Sequence, residues 1–178
     1  MNKDILIVYH SETGFTEKYA RWLSEDLDCL AISLDSAKKQ NLKEYKKILF
    51  GSWMMAGEVQ RLKEIQEICP DEDNCVLFVT GAAPANFADN FTAIHTALQN
   101  LDFDIKYFYL QSGLNYQKMK FRNRMVMRMM SIMLKIRKPV GENEIMLKSI
   151  LKNSFDNSRR EYLVPMENYV LTGSEEQK

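Results

Sequence analysis

The chain has 178 residues, 46% hydrophobic and 27% charged, with Gly and Pro too sparse for a long linker. These are the proportions of a soluble globular protein, long enough for one domain with a real core and too short for two comfortable ones. Its 24 basic and 24 acidic residues cancel, and its three cysteines cannot all pair and form no Cys-x-x-Cys, which suits a reducing cytosol.

The zero net charge hides an uneven distribution. Between Tyr116 and Lys138 stand Lys118, Lys120, Arg122, Arg124, Arg128, Lys135, Arg137 and Lys138, with no acid among them. Setting these eight aside leaves 16 basic residues against 24 acidic, so the rest of the chain carries −8. No apolar run reaches the ~20 residues that span a bilayer. The N-terminus lacks a signal-peptide succession, so the expected location is the cytoplasm.

In chain order, Ile5-Leu-Ile-Val reads as a strand buried on both faces, as strands of a parallel sheet are. A loop of hydroxylic residues around Gly14 follows, then a helix whose inner face is Thr16, Tyr19, Ala20, Leu23 and Leu27. Residues 29–34 give a second strand, and 35–45 are too polar for a long helix, with Leu42 and Tyr45 docking on the sheet. Ile48-Leu-Phe makes a third strand ending in Gly51-Ser52. Val59, Leu62, Ile65 and Cys69 mark a helix stopped by Pro70, and residues 76–79 form a fourth strand ending in Thr80-Gly81. Phe91, Ile94, Leu98 and Leu101 define the next helix, and residues 105–110 a fifth strand ending in Ser112-Gly113. Alternating strands and helices require right-handed crossovers and helices on both sheet faces. The expected fold is α/β and doubly wound, with five parallel strands in order 2-1-3-4-5 and a single domain over 1–171. Residues 172–178 read as a disordered tail.

Hydroxyl- and glycine-rich loops after strands one, three and four converge at the switch point of such a sheet. Ser11, Thr13, Gly14 and Thr16 at a helix N-terminus suit a phosphate. The residue types exclude other phosphate sites. Phe15-Thr16-Glu17 after Gly14 is no Walker pair, a lone glycine is no Rossmann fingerprint, and His10 and Gly51 stand where a receiver domain needs acids.

Ser11-Glu-Thr-Gly-Phe-Thr16 resembles the Ser/Thr-x-Thr-Gly-x-Thr phosphate loop of the flavodoxins, which implies FMN as cofactor. On that resemblance the cofactor residues are Ser11, Glu12, Thr13, Gly14, Phe15 and Thr16. To them are added Ser52, Trp53, Met54, Met55, Ala56 and Gly57 of the second loop, and Thr80, Gly81, Ala82 and Ala83 of the third. Trp53 would stack on the flavin, and Gly57 and Gly81 would let backbone close on it. Residues 109–116, the basic Met-rich segment after them and residues 155–170 are similar to menaquinone-dependent protoporphyrinogen IX dehydrogenases and related bacterial flavodoxin-domain proteins. That resemblance implies a substrate region at Gly113, Leu114, Asn115, Tyr116, Arg124 and Arg128.

Residues 119–138 hold no Gly, Pro or acid and read as one amphipathic helix inserted after the fifth strand. Phe121, Met125, Met129, Ile132, Met133 and Ile136 share a broad apolar face, with Lys120, Arg124, Arg128 and Lys135 opposite. Such a face could mould itself to a porphyrinogen or quinone, dock on an anionic membrane from the cytoplasmic side, or pack on the domain. No metal set, hydrolytic triad or nucleic-acid module is legible. The first expectation is an FMN oxidoreductase passing electrons from a flat hydrophobic substrate to a quinone. The alternatives are an electron carrier docking on redox proteins and a flavin-free interaction module; oligomeric state is not legible.

Overall fold

Strand β1 (Asn2–Tyr9) and helix α1 (Phe15–Asp26) begin the chain, followed by β2 (Cys29–Ser33) and the short α2 (Leu34–Ala37). Next come β3 (Lys47–Met55), β4 (Glu58–Val59), α3 (Glu64–Ile68), β5 (Cys75–Gly81), α4 (Ala88–Leu98) and β6 (Lys106–Gln111). The chain ends with β7 (Gly113–Leu114), α5 (Phe121–Ile136), α6 (Glu142–Ile150), β8 (Phe155–Asp156), a 3-10 turn (Arg160–Leu163) and α7 (Val164–Thr172). The structure is a computed structural model that describes residues 2–69, 73–101, 104–136 and 141–173. The expected helix stop at Pro70, the helix end at Arg137 and Lys138, and the tail beyond Gly173 lie outside the described residues.

The parallel strands run β2-β1-β3-β5-β6, which is the 2-1-3-4-5 order of a doubly wound sheet once the hairpin strand β4 is set aside. Alternate residues of each strand feed two cores. Leu6, Val8, Ile48, Phe50, Leu77 and Val79 pack toward Ile65 of α3 and Ile94 and Leu98 of α4. Ile5, Ile7, Leu49, Val76 and Phe78 pack toward Tyr19, Ala20 and Leu23 of α1 and Met166 and Val170 of α7. Leu49, Phe50, Leu77 and Phe78 are fully buried, and each such side chain contributes about 1.5–3 kcal/mol through burial. The register sets Tyr9 beside Gly51, Trp53 beside Thr80 and Gly81 beside Gln111, so the carboxyl ends of β1, β3, β5 and β6 meet at one edge.

Four expectations change. The helix predicted from Val59 begins only at Glu64, because Val59 pairs with Met54 in an antiparallel β3–β4 hairpin. Ala56 and Gly57 have φ of 53° and 83°, the double left-handed pair that closes a two-residue hairpin. Met54 and Met55 therefore extend a strand instead of lying in a loop.

The second change is to the insertion, which runs past α5 through α6 to β8 and closes on itself. Gly113 pairs with Asp156 and Leu114 with Phe155. Its small core joins Leu114, Met127 and Leu151, with Met55 and Ala82 packed against it.

The third concerns the cysteines. Cys69 and Cys75 form a disulfide with Cα atoms 5.7 Å apart, joining the end of α3 to the start of β5. An odd count forbids full pairing but allows one bridge, so cysteine number is no argument for a reducing compartment. Cys29 stays a free, buried thiol, pushed up to about 11 chiefly by burial. At the C-terminus, α7 takes in Thr172, which the sequence reading assigned to the tail.

Candidate functional site

The loop after β1 is held open by its own hydrogen bonds. Gly14, with φ of 96°, is the N-cap of α1, and its N–H donates to Ser11 Oγ at 3.1 Å. The helical ladder starts where Lys18 N–H donates to the Gly14 carbonyl at 2.9 Å. The N–H groups of Phe15, Thr16 and Glu17 therefore have no intrahelical acceptor and point, with the positive end of the helix dipole, at the loop. Thr16 is buried, and its hydroxyl bonds to that of Thr80 at 2.9 Å, while Thr80 donates to the Ser52 carbonyl at 3.3 Å. These bonds tie the ends of three elements together and leave Thr13 as the loop hydroxyl lining the cleft without a partner among the described residues.

The hairpin supplies the second wall. Ser52 is buried, and its hydroxyl donates to the Gln60 carbonyl across the hairpin, so it is occupied internally. Trp53 lines the cleft with its ring near-parallel to that of His10 (24°, centroids 6.3 Å apart). The Trp53 indole Nε1 is buried with no hydrogen-bond partner, a donor in need of an acceptor. Burial, then the charges of Arg61 and Lys120, hold the His10 imidazole below its ordinary pKa, so it is neutral at pH 7.

The third wall follows β5. A Cβ on Gly81 would collide with the Tyr109 ring, so the glycine makes room for an internal side chain where it lines the cleft. Tyr109 donates to the Ala83 carbonyl at 2.8 Å, and burial drives its phenol far above the usual range. Ser112 is buried and donates to the Gly81 carbonyl at 3.1 Å.

The insertion closes the cleft. The Glu12 carboxylate accepts from Lys120 N–H at 2.9 Å and from Asn123 Nδ2 at 2.6 Å, latching the start of α5 onto the phosphate-type loop. Lys118 Nζ lies 3.8 Å from where a Cβ on Gly14 would stand, so an ammonium sits against the same loop. Arg124 donates through Nη2 to the carbonyls of Gln117 (3.1 Å) and Met119 (2.9 Å), bracing the turn before α5, while its Nε is buried with no hydrogen-bond partner. Tyr116 donates to the Leu151 carbonyl at 2.8 Å and holds the two ends of the insertion together, while Arg128 is exposed.

The cleft is narrow, with about 50 Å³ of room for water-sized molecules, below the roughly 300–1,000 Å³ of small-ligand sites. Of the expected residues it brings together Glu12, Thr13, Phe15, Thr16, Trp53, Met54, Met55, Thr80, Gly81, Ala82, Gly113 and Leu114. Ala56, Gly57 and Ala83 line an adjoining apolar cleft of about 240 Å³, and Gly14 and Asn115 line a third, beside Lys18 and Lys118. Ser11, Ser52, Tyr116, Arg124 and Arg128 line none of the three; four of these five have the structural or exposed positions just described, and Ser11 braces the loop.

Sequence reasoning missed Met119, Asn123, Met127 and Ser112, which do line the cleft. Met127, Met130 and Leu134 form a second apolar stripe on the helix, continued by Met119 in the turn before it and narrower than the stripe chosen from the sequence. The chosen stripe points outward: Phe121 is 76% exposed and Ile136 82%. Among the described residues no group of His, Cys, Asp or Glu could hold a metal ion, and no helix is long and apolar enough to cross a membrane.

The family model of the flavodoxin domain matches residues 6–139, three quarters of the chain, from β1 through α5. The chain belongs to the flavodoxin domain family. Solved structures similar to this flavodoxin domain include a candidate flavoprotein from Bacteroides eggerthii, at 14% identity and TM-score 0.43, with 61% of this chain and 89% of that one covered. A flavodiiron core from Synechocystis is 14% identical over 83% of this chain and 34% of its own, with TM-score 0.40. The Trp repressor binding protein of Bacillus subtilis is 12% identical over 85% and 99%, with TM-score 0.41. No curated protein matches the sequence.

Proposed function

We propose that this flavodoxin domain binds FMN and serves as an oxidoreductase of the protoporphyrinogen-dehydrogenase type, passing electrons from a flat hydrophobic substrate to a quinone. The observation that carries the reading is the cleft itself, where the α1 N-terminus, Trp53 and the insertion's Met119 and Met127 meet. The residues fit the cofactor. The free N–H groups of Phe15, Thr16 and Glu17, the Thr13 hydroxyl and the nearby Lys118 ammonium suit a phosphate. The unpartnered Trp53 Nε1 offers a donor to a ring carbonyl or nitrogen, and Trp53, Met54 and Met55 offer the apolar surface a tricyclic ring requires.

When bound, the flavin supplies two-electron redox chemistry. The protein's part is to hold, orient and dry the reactants. Met119 and Met127 from the insertion, with Leu114, shape the side of the cleft away from the phosphate, and their flexible thioethers can follow a flat ligand. The Glu12 latch keeps that wall over the cleft, so water exclusion and cofactor binding act on one element.

The test supplies FMN-loaded protein with protoporphyrinogen and a menaquinone analogue under anaerobic conditions. Porphyrin formation above a protein-free control supports the reading. FMN binding without porphyrin formation, together with fast reduction by a flavodoxin reductase, assigns an electron carrier instead.

A further inference from the structure

Helix α5 is apolar on two opposite sides. Met127, Met130 and Leu134 face the insertion core, while Phe121, Met125, Met129, Ile132, Met133 and Ile136 are 50–82% exposed. The outward strip runs the length of the helix, about 24 Å at 1.5 Å per residue. Ile145 of α6, 57% exposed, is a further large apolar side chain of the insertion in solvent. An unbroken strip of this kind marks a surface that meets a partner.

Charge selects the partner. Arg122, Arg128 and Lys135 are exposed on the same helix, which carries no acid, while the protein outside residues 116–138 carries −8. A second copy docking face to face would set these cations against their own counterparts. A folded helix flank is also convex, so it offers a peptide no groove. An anionic lipid surface answers both features: it neutralises the cations and takes up large apolar side chains along a line parallel to itself.

We infer that α5 is a membrane-interface helix that seats the outward strip in the headgroup region of an anionic bilayer. The inner face of the same helix lines the cleft, so the seated protein holds the cleft about one helix diameter, roughly 10 Å, from the lipid. This seating does not depend on flavin binding.

The test is flotation of the full-length protein with vesicles of phosphatidylcholine alone or with one-third phosphatidylglycerol. Expected is binding to the anionic vesicles only, and its loss as salt shortens screening from about 10 Å at 0.1 M to about 3 Å at 1 M. The double variant Met129→Glu/Met133→Glu alters exposed side chains, and circular dichroism checks that it folds; it should abolish flotation. Replacing Lys135 by Gln should weaken binding about fivefold. Equal binding to neutral vesicles, no binding to either, or flotation unchanged by the double variant overturns the inference. A dimer in light scattering that the double variant converts to monomer also overturns it and assigns the face to a second copy.

Discussion

The latch between Glu12 and α5 makes a prediction that can be read at a single amide. Glu12→Ala removes the acceptor of Lys120 N–H and of Asn123 Nδ2. Hydrogen bonds to a charged acceptor contribute about 1.5–3 kcal/mol each when well shielded. Glu12 and Asn123 are half-buried, so about 1 kcal/mol each is the better figure, about 2 kcal/mol in all. At a factor of ten per 1.4 kcal/mol, local opening at the start of α5 should rise about 25-fold. Native-state hydrogen exchange measures this directly at the Lys120 amide, with Leu49 in the central strand as a control that should not change. Glu12→Gln keeps one carbonyl oxygen for Lys120, and the Asn123 amide can turn to accept from the new NH₂ group, so this variant should stay within about fivefold of wild type. Exchange at Lys120 unchanged in Glu12→Ala, or identical in the two variants, would refute the latch.

Gly81→Ala places a methyl against the Tyr109 ring; it should destabilise the fold by about 2 kcal/mol and lower the melting temperature by about 4–8 °C, and an unchanged thermal midpoint would contradict the packing described. Lys118→Ala removes an exposed cation beside Gly14, so FMN should bind about two- to fivefold more weakly while riboflavin, which lacks the phosphate, should be unaffected in the same fluorescence titration. Burial and the neighbouring Asp26 push the Glu167 carboxyl up to about 7 from its ordinary 4.5. Its stabilising contribution is therefore fully present below 4.5 and lost as pH rises through 7. Glu167→Gln should be more stable than wild type at pH 8 by about 1 kcal/mol, a figure discounted for partial exposure, and urea denaturation at pH 5 and pH 8 checks it. Asp26, lowered by its hydrogen bond to Arg160, works in the opposite sense and matters only as pH falls through its own lowered pKa.

The central sheet was legible because strands buried on both faces leave continuous apolar runs, as at Ile5 to Val8 and Val76 to Val79. The phosphate-type loop was legible because its hydroxyls and glycine are adjacent in the chain. The hairpin was not, since one of its two left-handed residues is Ala56, which carries no signal for positive φ. For α5, apolar periodicity alone could not say which of two stripes faces inward. The broader one is the exposed one, because the inner stripe includes polar Asn123, which the Glu12 latch satisfies. The latch itself joins residues 108 positions apart, and Lys118 comes to lie beside Gly14 from as far along the chain; no local pattern reports such pairs. The β7–β8 pairing that closes the insertion is two residues long, too short for alternation to register.

FMN binding, with the phosphate and ring held in the cleft between the α1 N-terminus, Trp53 and α5, is the step on which the proposed function rests. Titration of flavin-free protein with FMN and, separately, riboflavin, followed by flavin fluorescence and the visible spectrum, tests it most directly. The expected result is one FMN per chain with quenched flavin fluorescence, weaker riboflavin binding, and loss of quenching in Trp53→Leu. Failure to take up FMN, or equal affinity for riboflavin, would contradict it.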